Sequence, residues 1–156
     1  MSKKIFDIDE MAQIISVLLE KFKDNKLVHR MINHLIRDES DYLVPTMKST
    51  EAVKLEQEYN VSLKNLPRNA IWPKDRELSS RIEIEHGLTI SEAVEKCIKA
   101  HDREGIAVVL EELKGSLVYI ADFESAVLAE KGFSKIRKEG FMEAYEKCGI
   151  ILVQNK

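Results

Sequence analysis

At 156 residues, 44% of them apolar, the chain is long enough to bury one real core and short enough that one principal domain is the expectation. The formal charge of −3 is spread evenly: 13 basic and 13 acidic residues over positions 1–78, then 11 and 14 over positions 79–156. This excludes a basic arm, and nucleic-acid binding would have to come from a local patch. No apolar run approaches the ~18 residues of a membrane span. Cys97 and Cys148 lack the spacing of a zinc site or a disulfide framework, which points to buried thiols in a reducing cytoplasm.

The opening Met1-Ser2-Lys3-Lys4 leads into an acidic amphipathic segment, not a signal-peptide core. Asp9 predicts the cap of a helix to about residue 23, with Met11, Ile14, Ile15, Leu18, Leu19 and Phe22 on one face. Asn25 and Lys26 break it. A second helix over 27–37 carries a wide apolar stripe from Leu27, Met31 and Leu35 beside Val28, Ile32 and Ile36, so the two helices form an antiparallel hairpin. A third helix over 50–59 is capped by Ser49 or Thr50. From 60 to 74 the pattern is lost around Pro67 and Pro73, giving an irregular connector between a helical region (1–62) and a mixed region (75–156) expected to pack as one unit.

The mixed region opens with a strand over 81–86 that alternates Ile82, Ile84 and His86 with Arg81, Glu83 and Glu85. The side chains of Glu85 and His86 therefore diverge unless Gly87 distorts the strand end. Thr89 and Glu92 have capping-box spacing for a helix carrying Ala93, Val94, Cys97 and Ile98. A helix over 106–113, an apolar strand over 117–121, a helix capped by Asp122, a helix over 141–147 and a buried strand over 150–153 complete the chain. The expected class is α+β.

The order of a strand ending in Glu85-His86, a crossover, the strand Val118-Tyr119-Ile120-Ala121 and the helix Asp122-Phe123-Glu124-Ser125 resembles the ββα-metal module of HNH-type nucleases. Tyr145-Glu146-Lys147-Cys148-Gly149-Ile150 resembles the closing segment of a small bacterial group within that family. The resemblance covers less than half of the chain. It implies metal-assisted phosphodiester hydrolysis, in which Glu85 helps to hold a divalent ion such as magnesium or zinc and His86, with an ordinary pKa near 6.5, deprotonates a water. Where the family turn has proline this chain has Thr89, and where the helix has polar ligands it has Ser125 and Ala129. Asp122 or Glu124 would then replace the missing ligand, Asp122 also reading as a plain helix cap.

Other features are less specific. Lys131, Lys135, Arg137 and Lys138 form a basic cluster, and Lys135, Arg137 and Lys138 would meet phosphates if the module met nucleic acid. Trp72 with Arg68 and Lys74 reads as a stacking platform or a buried anchor. His29 and His34 are not spaced as a metal pair, and His101-Asp102 reads as a capped turn. Two functions follow. One is a non-catalytic interaction or regulatory protein on a degenerate HNH-like fold, its Leu27, Met31 and Leu35 stripe serving a protein partner or a second copy. The other is an active nuclease on DNA or RNA.

Overall fold

Asp7, not Asp9, starts the first helix: in a computed structural model that describes residues 7–156, its carboxylate accepts the amide of Glu10. The reading of Met1 to Lys4 lies outside the described residues. Helix α1 (Ile8–Phe22) buries Met11, Ala12, Ile15 and Leu19. Asn25 then caps α2 (Lys26–Ser40), its Oδ1 accepting the amides of Leu27 and Val28, so one residue ends the first helix and begins the second. Val28, Ile32 and Ile36 form the buried stripe of α2.

A strand that the sequence reading lacked, β1 (Met47–Ser49), follows; three residues are too few to show a period. Ser49 caps α3 (Thr50–Tyr59) through the amide of Ala52. The expected irregular connector contains α4 (Arg68–Lys74), and α5 (Arg76–Arg81) comes directly after it. The two prolines read as breakers because they hide this helix: Pro67 is its N-cap and Pro73 its next-to-last residue.

Strand β2 (Ile82–His86) leads to α6 (Ile90–Ala100), where the Thr89–Glu92 capping box forms as read, and to α7 (Arg103–Gly115), capped by Asp102. Strand β3 (Leu117–Ala121) is buried at every residue. Helix α8 (Asp122–Glu130), helix α9 (Phe141–Lys147) and strand β4 (Leu152–Gln154) end the chain. The last strand is not buried as expected. It is a sheet edge with Val153 and Gln154 exposed, and only Ile150 before it is enclosed.

The sheet order is β2-β3-β1-β4, with β3 antiparallel to β2 and parallel to β1, and β4 antiparallel to β1. Strand β3 is thus central, which explains its unbroken apolar run. One apolar cluster joins α1 and α2 to α6 and α7; a second fills the space among α3, α4, α5 and one face of β2 and β3. A third lies on the other face, where Val118 and Ile120 meet Leu128, Ala144, Tyr145 and Ile150. The arrangement is α+β with N-terminal helices.

Candidate functional site

Strand β2 occupies an edge of the sheet and keeps its register with β3 from Ile82 opposite Ala121 to His86 opposite Leu117. The alternation of side chains therefore runs unbroken to the strand end, and Glu85 and His86 diverge as alternation requires, with no distortion at Gly87. Gly87 serves close approach instead. Its amide donates to the Ser116 carbonyl at 2.9 Å. A Cβ at this position would lie 2.8 Å from both that oxygen and the Phe141 ring.

Behind the strand end sits Arg137, in the loop between α8 and α9. Its guanidinium donates to the Glu85 carboxylate, to the carbonyls of His86 at 2.8 Å and Gly87 at 3.1 Å, and through Nε to the Phe133 carbonyl at 2.9 Å. Tyr145 lies under it, with Cζ 5.3 Å from the ring centroid. Arg137 is 4% exposed, so its charge is spent inside the protein and does not meet solvent phosphates. Burial raises the Glu85 carboxyl above the usual carboxylate range, and the Arg137 charge pulls it part of the way back.

His86 is neutral at physiological pH. Burial, then the charges of Arg37 and Arg137, lower its pKa to about 4. Its Nε2 is enclosed and has no hydrogen-bond partner among the described residues.

A cleft of about 750 Å³ runs along the free edge of β2, and an edge position lets it take side chains from both faces of the strand. Glu85, His86, Ser125 and Lys135 all reach it, together with Arg37, Arg68 and Trp72. Asp122 does not: it is exposed at the first residue of α8, where its Oδ1 accepts the amide of Phe123 at 2.9 Å, and Ala121 holds the cap position given to Asp122 in the sequence reading. Glu124 is buried and occupied, its Oε1 accepting from Ser49 Oγ at 2.5 Å and from the Ala121 amide at 2.9 Å. Lys138 borders a separate pocket between the Arg137 loop and α9.

A divalent ion does not fit this donor set as it stands. Glu85 is committed to Arg137, Glu124 to Ser49, and Ser125 is a neutral hydroxyl. Two guanidiniums also bear on His86, which disfavours a cation beside it. Among the described residues no three of His, Cys, Asp and Glu are grouped to hold a metal.

Sequence reasoning missed the Glu85–Arg137 pair and the place of Arg37, because both depend on chain segments that only folding brings together. The one available signal was that Arg137 lies between Phe133 and Tyr145, two aromatic residues that anchor its loop. Trp72 is not the buried anchor; it is 54% exposed, with the Arg76 guanidinium 4.5 Å from its ring centroid. No family model matches the chain, and neither a curated protein nor a solved structure resembles it significantly.

Proposed function

We propose that this chain is a non-catalytic interaction or regulatory protein of the cytoplasm, built on a degenerate HNH-like arrangement of β2, β3 and α8. It docks through the α1–α2 hairpin. The observation that carries the reading is on α2: beside the buried Val28 and Ile32, Leu27 is 62% and Met31 50% exposed. On α1, Ile14, Val17 and Phe22 are exposed in the same way. Leu27 and Met31 stand one turn apart on α2, and Ile14 and Val17 three residues apart on α1; apolar side chains repeated at such spacing are the chemistry of a protein-binding face, and single scattered ones are not. The partner is a protein, and a second copy of this chain is the simplest one. Among the described residues no helix is long and apolar enough to cross a membrane, and a reducing compartment suits the free thiols of Cys97 and Cys148.

Sedimentation velocity over a range of concentrations tests the docking face. The native chain is expected to associate, and Leu27→Asp with Met31→Asp to abolish association while the melting temperature moves by the small amount usual for surface changes. A native chain that stays monomeric contradicts self-association.

The second reading, an HNH-like nuclease acting on DNA or RNA, is favoured by one fact: Glu85, His86 and Ser125 reach the same open cleft. Incubation with plasmid, single-stranded DNA and RNA in magnesium or zinc separates the two readings. Cleavage that His86→Ala removes supports the nuclease; cleavage unchanged in His86→Ala shows that His86 is not the base.

A further inference from the structure

The sheet has two free edges, and they differ. Strand β4 is three residues long, whereas β2 is five, about 16 Å at roughly 3.3 Å per residue, and borders the large cleft. Opposed residues of an antiparallel pair alternate between those that exchange backbone hydrogen bonds and those whose N–H and C=O point away from the partner strand. The register decides which is which. Gly87 continues the β2–β3 pairing opposite Ser116 and donates to its carbonyl, so Glu83 and Glu85 turn their backbone groups to β3, and Ile84 and His86 turn theirs outward.

Ile84 and His86 both line the cleft. Arg137 takes the His86 carbonyl at 2.8 Å. The Ile84 N–H and C=O and the His86 N–H have no partner among the described residues. Donors and acceptors left in this order along an extended edge are what the backbone of an added strand satisfies.

The charge of the lining selects the segment. Arg37, Arg68 and Lys135 stand against Asp41, Glu83 and Glu85. The Glu85 charge is already met by Arg137, and Asp41 feels the Arg68 charge, so Arg37 and Lys135 are left against Glu83 alone. Both are exposed and neither holds an ion pair among the described residues. An acidic segment complements such a cleft. Trp72, which is 54% exposed, adds an apolar surface to the same lining. A volume of about 750 Å³ admits a short extended segment and not a folded domain. Leu27 and Met31 of the hairpin face are not part of this lining, so the two surfaces are separate.

We propose that the free edge of β2 takes up an extended acidic peptide segment of a partner protein as an added strand, its backbone pairing with Ile84 and His86 and its carboxylates meeting Arg37 and Lys135. Trp72 is the single tryptophan of the chain, so its emission reports on the cleft directly. The probe is a hexapeptide of alternating valine and glutamate, blocked at both ends, titrated against the full chain. A saturable blue shift complete below about 1 mM is expected. Hydrogen exchange followed by NMR is expected to slow at least about tenfold at the Ile84 amide, while the Glu83 and Glu85 amides, already bonded to β3, stay unchanged. N-methylation of alternate probe amides is expected to abolish binding for one set and spare it for the other, because only one set faces the strand. Arg37→Glu with Lys135→Glu weakens the glutamate probe at least about tenfold and favours the corresponding lysine probe; both side chains are exposed, and an unchanged melt confirms the fold. The proposal is overturned by no saturable shift with the glutamate probe, by an Ile84 amide that exchanges as before, by methylation that acts alike at both sets, by a lysine probe that binds the native chain equally well, or by a short single-stranded oligonucleotide that binds it more tightly.

Discussion

Arg137 holds Glu85 from inside the protein. One guanidinium neutralises the carboxylate and also takes the backbone carbonyls of the next two residues, so the end of β2 and the loop before α9 are fastened at one point. A side chain engaged on four acceptors is a structural brace, and its strength comes from satisfying a charge that burial would otherwise make costly.

The packing around this brace makes Gly87 irreplaceable even by alanine. The added methyl would press on the Ser116 carbonyl and the Phe141 ring at 2.8 Å, and a backbone oxygen cannot swing aside. Gly87→Ala is expected to destabilise the protein by about 1–3 kcal/mol, the cost of overpacking, in urea unfolding. An unchanged midpoint would show that the strand end is looser than described.

His86 gives the stability a pH dependence with a definite sign. The imidazole has a pKa of about 4 in the folded chain and 6.5 when free. Between these values the unfolded chain binds more protons, so stability falls as pH drops from about 6.5 to 4 and the loss is complete below that. It amounts to at most about 3.5 kcal/mol at roughly 1.4 kcal/mol per pKa unit. Burial raises the carboxyls of Glu85 and Glu124 and works in the opposite sense. The difference between the native chain and His86→Gln isolates the histidine: the native curve should be the steeper in this window, and parallel curves would contradict a buried neutral imidazole.

Ser49 ties the helical region to the start of α8, at the end of β3. Its hydroxyl caps α3 and donates to Glu124, whose carboxylate in turn holds the Ala121 amide. Ser49→Ala removes the cap and leaves a buried carboxylate short of a donor, so a loss of about 2 kcal/mol is expected in thermal or urea unfolding. A loss within about 0.5 kcal/mol, the range of ordinary surface changes, would show that Glu124 finds another partner.

Local order was legible in the sequence, and long-range pairing was not. The Thr89–Glu92 box, strand β3 and helix α9 stand where spacing put them, because caps and apolar runs are properties of neighbouring residues. Strand β1 was invisible since three residues carry no period, and α4 was masked by the prolines at its two ends. At the site, Glu85 and His86 were found by type and position. Their surroundings were not, since Arg137 lies 52 residues from Glu85 and Arg37 arrives from another helix. Alternation correctly sent the pair to opposite faces, and what unites them is the edge position of β2, which no local pattern encodes.

The central claim is that the Glu85 end of β2 is a brace, and unfolding of Glu85→Gln tests it most directly. Removing the carboxylate charge leaves Arg137 buried without a counter-ion, so the account predicts destabilisation of about 3 kcal/mol, as for one partner of a buried pair. Acids kept for catalysis are commonly held at a cost to stability, and their neutralisation raises it. A Glu85→Gln variant as stable as the native chain, or more stable, would contradict the brace and return Glu85 to the candidate active site.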